Sequence, residues 1–226
     1  MKKFIIGLVI LLVIVAGGWY ALKMRSNAPQ TIIIDKNMES LLLSDTASST
    51  APADKVSQPV VTPQADAALK VNAMEIIARP VVNKANLSAT ELAAITKNIE
   101  NTNKEIRANY NLDLPWLALS AYRTLLKDYD GAIEALKFLT VIRPKGHVAF
   151  HNLGVIYGYE LHDYPKSEEN FLRSIKNDPT NIDAYSQLAT IYKAYAPEKI
   201  VPFLQSGIVV NPQNQQLKIM LEEFTK

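Results

Sequence analysis

The sequence predicts an all-α protein, an α-solenoid of three helical hairpins over residues 113–212, with one transmembrane helix near the N-terminus. A proline recurs at Pro144, Pro179 and Pro212, spaced 35 and 33 residues apart, and each one follows a similar series of aromatic, leucine and small residues. A fixed period of this length indicates stacked helix pairs, because one pair cannot bury its apolar face alone. Proline ends the second helix of each pair, since it removes a backbone donor and clashes with the preceding turn.

Residues 1–25 are predicted to be a membrane anchor. Residues 4–22 form a run of 19 residues without a charged side chain, close to the ~20 that cross a bilayer as a helix. A run this rich in Phe, Leu, Ile and Val favours insertion by several kcal/mol. We therefore expect a single-pass membrane protein.

A cleaved signal peptide is the alternative interpretation of this end. Lys2 and Lys3 precede the apolar run, and Ala16-Gly17-Gly18 resembles a small-residue cleavage site. Trp19 and Tyr20 extend the run past that site and suit the membrane interface, which favours the uncleaved anchor. Positive charges at both ends of the run leave the orientation open. The expectation is a cytoplasmic N-terminus with the hairpins on the extracytoplasmic side, the periplasm of a Gram-negative cell.

Residues 26–66 are predicted to form a flexible linker. From Ser44 to Asp66 the chain is rich in Ser, Thr, Ala and Pro, and such a segment cannot bury enough apolar surface to offset its ordering entropy. Two apolar islands, residues 31–34 and 41–43, precede it; they are either part of the linker or contacts for a partner or the membrane interface. The chain has no cysteine, which excludes disulfides and thiolate metal sites.

Residues 67–112 are predicted to hold two adaptor helices. The better defined one begins at Ser88, which forms a capping box with Glu91. Its apolar stripe consists of Leu92, Ile95, Ile99 and Ile106. This stripe either packs on the first hairpin as a cap or contacts a dimer mate or partner. A weaker helix runs from Asp66 to about Ala78 and is ended by Pro80.

The three hairpins share an order of residue types. The first has Trp116, Leu119, Ser120, Tyr129, Ala132 and Pro144. The second has Phe150, Leu153, Gly154, Tyr157, Tyr164, Ser167, Phe171 and Pro179. The third has Tyr185, Leu188, Ala189, Tyr192, Leu204, Gly207 and Pro212. Small residues such as Gly154 and Ala189 allow the two helices of a hairpin to approach closely, while the aromatic and leucine residues fill the space between hairpins.

These patterns resemble the tetratricopeptide repeat, whose motif has Trp, Leu-Gly, Tyr, Ala, Phe and Pro at these offsets. The first hairpin departs from the motif because Arg123 stands where the family prefers an aromatic residue. The third has Ile200 as the opener of its second helix, between Pro197 and Pro202, so that helix is expected to be short or to start late. Residues 213–226 are similar to the capping helix that ends such arrays.

The resemblance implies a concave groove, lined by the first helix of each hairpin, that holds a protein or peptide partner. The corresponding residues are Leu117, Ala118, Ala121 and Leu125 in the first hairpin, Val148, His151, Asn152, Val155 and Tyr159 in the second, and Asp183, Ser186, Gln187, Thr190 and Lys193 in the third. The family's clamp for a C-terminal carboxylate uses Lys, Arg and Asn, and only Asn152 matches it. The groove suits an amphipathic helix or an extended peptide with apolar anchors. An N-terminal helix of this same chain could instead fill it.

Composition and motifs give no indication of an enzyme. Over residues 67–226, 18 Lys or Arg balance 17 Asp or Glu, so there is no basic face for nucleic acid. No Gly-rich phosphate loop or Ser-His-Asp order is evident, and no cofactor is expected. His147 and His151 lie four residues apart and could share a metal in a metal-dependent enzyme, but neither a third ligand nor the Glu of a metalloprotease helix accompanies them. We therefore expect a membrane-anchored adaptor; the alternatives are a structural or homo-oligomeric helical protein and the metal enzyme.

Overall fold

The structure, a computed structural model, describes residues 63–225. The predicted anchor over residues 1–25, with the membrane segment 4–22, and nearly all of the 26–66 linker lie outside these residues. Within 63–225 every regular element is helical and no strand occurs, which confirms the all-α prediction. None of the helices in this part of the chain has the length and hydrophobicity needed to cross a bilayer.

Nine α-helices follow one another along the described residues. They are α1 (Pro63–Ala78), α2 (Ala89–Ala108), α3 (Asp113–Leu125), α4 (Tyr129–Ile142), α5 (Val148–Val155), α6 (Tyr164–Asn177), α7 (Ile182–Tyr195), α8 (Ile200–Val210) and α9 (Gln215–Thr225). A π-helical segment, Ile156–Glu160, continues α5, and a 3₁₀ turn, Pro197–Lys199, precedes α8. The third pair therefore has a late second helix, as its prolines predict.

The N-terminal helices pack on the first hairpin. The capping box is confirmed, because the Ser88 side chain accepts from the Glu91 backbone N–H and the Glu91 carboxylate accepts from the Ser88 backbone N–H. Ile99 and Ile106 are fully buried, and α2 packs along α3 while α1 lies against α2 and α4. The apolar stripe thus covers the first hairpin. Helix α1 ends at Ala78 and begins three residues before the expected Asp66.

Three helix pairs, α3/α4, α5/α6 and α7/α8, follow in series. The two helices within each pair pack together, and the second helix of one pair packs on the first helix of the next. Trp116 and Phe138 lie in the core of the first part, and Phe171 and Tyr185 in that of the second. Helix α9 closes the series by packing on α7 and α8, with Leu217 fully buried.

Side chains at a spacing of 34 residues tie the end of each helix pair to the turn that precedes that pair. Asn177 Nδ2 donates to the carbonyls of Pro144 and Gly146 at 3.2 and 2.8 Å, and Asn211 Nδ2 donates to the Pro179 carbonyl at 2.8 Å. At the corresponding position of the first pair, Arg143 donates to the backbone before α3. Each side chain lies at the end of a second helix and holds the turn that precedes the first helix of its own pair.

The turns inside the first two pairs also repeat. Lys127 and His162, 35 residues apart, both adopt positive φ, at 56° and 55°. Each precedes an aspartate that caps the next helix, Asp128 for α4 and Asp163 for α6. The same local geometry therefore recurs with the proline period.

Close helix contact at Gly154 is confirmed. A Cβ atom at this glycine would lie 2.9 Å from the ring of Phe171, so only glycine allows α5 and α6 to approach this closely. Ser167 Oγ donates to the Gly154 carbonyl at 2.8 Å and strengthens the same contact.

Candidate functional site

The predicted groove residues lie on α3, on α5 with its π segment, and on α7. Ala121, His151, Asn152, Val155 and Gln187 are buried; Leu117, Ala118, Tyr159, Asp183 and Ser186 are half-buried; Leu125, Val148, Thr190 and Lys193 are exposed. The face is thus polar and largely enclosed between α5 and α7, and more open and apolar on α3. Leu117 joins the core around Trp116, so only part of its side chain is available to a partner.

His151 and Asp183 bring α5 and α7 together at the centre of this set. His151 Nε2 lies 3.3 Å from Asp183 Oδ2. The imidazole is almost fully buried and meets the ring of Phe171 edge-on, with centroids 5.4 Å apart. Burial lowers the pKa of His151; the Asp183 carboxylate acts against this, and the neighbouring His147 adds to it. His151 is therefore neutral at pH 7. Its Nε2 and Asp183 Oδ2 are close, but within the described residues neither atom forms a hydrogen bond.

Asn152 adds a second buried polar side chain, 4% exposed. Within the described residues its Oδ1 accepts no hydrogen bond, and neither does Nδ1 of the adjacent His151. A buried acceptor without a donor loses its hydration and costs about 1–3 kcal/mol. We refer to His151, Asn152 and Asp183 as the acceptor cluster. Its unused oxygen and nitrogen atoms can accept hydrogen bonds from a ligand.

Tyr159 lies beside the cluster because α5 ends in the π segment. Its hydroxyl donates to the Gln187 carbonyl over 3.4 Å and so connects the π segment to α7. Burial raises the pKa of Tyr159 to about 12; a hydrogen bond with Thr190 opposes the increase and the charge of Asp183 adds to it. The phenol therefore stays protonated and acts as a donor. π turns concentrate at functional sites, and the sequence pattern gave no indication of this one.

Lys193, the basic residue of the predicted set, is directed away from the cluster. Its Nζ lies 5.9 Å from the centroid of the Phe224 ring on α9, a distance typical of a cation–π contact. Thr190 Oγ1 donates to the Ser186 carbonyl one turn earlier. The side chains of Thr190 and Lys193, in the last turns of α7, thus contact other parts of the same chain.

The two histidines of the metal hypothesis have different carboxylate neighbours. His147 Nδ1 lies 3.6 Å from Asp178 Oδ2, whereas His151 faces Asp183. In the described part of the chain, no three His, Cys, Asp or Glu side chains converge on a point where a metal ion could bind. This geometry gives the pair no third ligand.

A second candidate surface is a depression of about 440 Å³ between α5 and α6. The side chains of Phe150, Leu172 and Arg173 line it, and the Arg173 guanidinium lies 5.5 Å from the Phe150 ring centroid. The sequence did not indicate this surface. In contrast to the acceptor cluster, it has no buried polar atom without a hydrogen bond.

The acceptor cluster is therefore built by neighbouring helix pairs, with a neutral imidazole and an amide oxygen buried beside a half-exposed carboxylate. Such a site can bind a group that donates hydrogen bonds. The three side chains do not include a nucleophile that a neighbouring base activates. Comparison of the chain with protein-family models and with curated proteins finds no match.

Proposed function

We propose that this chain is a membrane-tethered scaffold of the tetratricopeptide-repeat type, which holds a peptide segment of a partner protein on the face formed by α3, α5 and α7. The acceptor cluster is the observation that carries the proposal. Buried polar atoms without partners are uncommon in folded proteins, and the lost hydrogen bonds of Asn152 and His151 are explained if a bound peptide supplies the donors.

The recurring contacts within the helix pairs support the repeat type. Links at Arg143, Asn177 and Asn211 recur every 34 residues, and the capped turns at Asp128 and Asp163 recur after 35. In this proposal residues 4–22 anchor the chain in the membrane, and residues 26–66 are the flexible linker between this anchor and the helix pairs. The partner is then met at the cell envelope, on the extracytoplasmic side.

The position of the adaptor helices favours an open groove over a self-filled one. Helix α1 lies against α2 and α4, so it lies on the side of the second helices. Helix α2 packs along α3 through Ile99 and Ile106, which join the core around Trp116. Both helices extend the stack at its N-terminal end, which leaves the face of α5 and α7 to a partner.

Site-specific photo-crosslinking in intact cells tests the proposal. A photoreactive residue at Thr190, on α7, is expected to give a discrete crosslinked product with another protein. The matched control has the photoreactive residue at Leu172 on α6, in the depression between α5 and α6. It is expected not to give that product. Adding Asn152→Ala to the Thr190 probe should remove most of the product.

Identical products at both positions, or no product at Thr190, would contradict the proposal. A product consisting of two copies of this chain would favour the homo-oligomer instead. Extraction of the membranes with alkaline carbonate tests the tether in the same cells, since an embedded helix stays in the membrane pellet and a peripheral protein is released.

A further inference from the structure

We propose that the acceptor cluster binds a basic side chain, a guanidinium or a primary ammonium, of the bound peptide. The inference rests on the proposed function and specifies the chemistry of the partner. It starts from the hydrogen-bonding roles of the three side chains, each of which offers an acceptor atom to a ligand.

The three side chains of the cluster have polar atoms without hydrogen-bond partners. His151 Nε2 lies 3.3 Å from Asp183 Oδ2, yet within the described residues neither atom forms a hydrogen bond, and neither do His151 Nδ1 and Asn152 Oδ1. A neutral imidazole carries one proton, so one of its two ring nitrogens is an acceptor. This ring nitrogen, Asn152 Oδ1 and Asp183 Oδ2 therefore require N–H or O–H groups.

Asp183 gives the site its charge. Its side chain is 44% exposed while that of His151 is 3% exposed, so part of the carboxylate reaches solvent, whereas its Oδ2 atom, which faces the imidazole, is buried. In the described part of the chain the only basic side chain within 4.0 Å of the Asp183 carboxylate is His151, which is neutral. The carboxylate is thus available to a cation from outside.

The surrounding charges are occupied elsewhere. Lys193 is held over Phe224, Arg173 over Phe150, and His147 faces Asp178. A peptide carboxylate at the cluster would meet the charge of Asp183 and buried acceptors without a donor, and is therefore disfavoured. A guanidinium carries five N–H donors and an ammonium three, with no acceptor, so each can supply both missing bonds and neutralise Asp183.

The apolar residues toward α3 indicate what flanks the basic group. Val148, on α5, is exposed and Leu117, on α3, is half-buried, and both belong to the predicted groove residues. We infer a peptide with a basic residue at the cluster and an aliphatic or aromatic residue on its α3 side.

Selection of random 12-residue peptides by phage display on the full-length chain, held in lipid nanodiscs, tests the inference. Peptides selected on the wild type are expected to be enriched in Arg or Lys at one position. One selected peptide is then synthesised with that residue and with citrulline, the uncharged analogue of arginine. Citrulline is expected to weaken binding at least about tenfold, since charged hydrogen bonds at a buried site contribute this much.

Two variants assign that loss to the cluster. Asp183→Asn should weaken binding of the basic peptide by a similar factor. It should leave binding of the citrulline peptide nearly unchanged, because the carboxylate and the basic group are the two partners of one interaction. Glu100→Gln, at an exposed carboxylate of α2, is the matched control and should bind like the wild type. Circular dichroism of each variant confirms that the fold is retained.

The outcomes separate this inference from the function on which it rests. If no peptide is selected, both the scaffold function and the inference fail. If peptides are selected without basic enrichment, and Asp183→Asn binds them as well as the wild type, the peptide-binding function stands and the basic-group assignment is overturned. In that case buried water satisfies Asn152 and His151.

Discussion

The guanidinium of Arg123 donates to the carboxylate of Asp128, and both side chains are excluded from solvent. The same guanidinium donates to the backbone carbonyls of Arg79, at 3.0 Å, and Pro80. It therefore ties the α3–α4 turn to the segment that follows α1. A charge buried in this way persists because its partner and the carbonyls replace its water.

Replacing Asp128 with alanine is expected to destabilise the fold by about 3–5 kcal/mol, because Arg123 would remain buried without its counter-charge. The loss of the N-cap of α4, where the Asp128 side chain accepts from the Gly131 N–H, adds about 1 kcal/mol. Urea unfolding of the purified chain, followed by circular dichroism, measures the change.

Asp130→Ala is the control for this substitution. Its carboxylate is 73% exposed and lies 4.0 Å from Arg79, so removing it should change the free energy of unfolding by no more than about 0.5 kcal/mol. Equal decreases in the free energy of unfolding for the Asp128 and Asp130 variants would show that the buried ion pair contributes no more to stability than an exposed carboxylate.

Replacing Gly154 with alanine is expected to cost about 1–3 kcal/mol, since the new Cβ would lie 2.9 Å from the Phe171 ring and force α5 and α6 apart. A double-mutant cycle checks the cause. In a Phe171→Leu background, which removes the ring, Gly154→Ala should cost clearly less. Additive losses would place the strain somewhere other than this contact.

Most of the fold could be predicted from the sequence, because it is encoded in short-range patterns. The period of the prolines located the hairpins, and Ser88 with Glu91 located the start of α2. The ion pair of Arg123 was missed. An arginine at an aromatic position gives no local sign of burial, since its environment is completed by Arg79 and Pro80, more than 40 residues earlier in the chain.

The candidate site could be predicted only as far as the helices that carry it. Helical offsets place His151 and Asn152 on one helix and Asp183 on another, but they do not state how deeply each side chain is enclosed. That depends on the packing of Phe171 against His151 and on the π segment, whose wider turn contains Tyr159. Neither has a signature in residue periodicity, because both arise from contacts between helices.

Glu168 is expected to stabilise the fold at neutral pH and to lose this effect in acid. It accepts from Tyr192, Tyr195 and Lys199 at 2.9, 2.6 and 2.9 Å. Burial alone would raise the pKa of Glu168, but these hydrogen bonds together with the Lys199 charge outweigh it and hold the pKa below its ordinary value of 4.5. The stabilisation is therefore complete above about pH 4.5 and is lost as the pH falls through the lower, folded-state pKa.

Glu168→Gln should accordingly destabilise the protein by about 1.5–3 kcal/mol at pH 7, the contribution of hydrogen bonds to a charged group. The difference in the free energy of unfolding between the variant and the wild type should decrease as the pH falls below about 4.5. Urea unfolding at a series of pH values measures it, with Glu169→Gln, an exposed neighbour, as the control. A gap that stays constant over this range would contradict the assigned pKa.

His151 is expected to give the wild type a loss of stability below neutral pH. Burial lowers its pKa from the ordinary value of 6.5, with Asp183 opposing and His147 adding to the shift, so the unfolded chain takes up a proton at higher pH than the folded one. The free energy of unfolding should then decrease as the pH falls below about 6.5, by at most about 1.4 kcal/mol per pH unit for a single group. Urea unfolding from roughly pH 7.5 to 5 measures this slope.

His151→Gln removes the titrating group and should flatten the dependence of stability on pH, whereas His147→Gln, at a side chain that is 39% exposed, should leave most of the slope in place. If the His151 variant loses stability as steeply as the wild type, another group accounts for the slope, and the imidazole is not the buried neutral base described at the acceptor cluster.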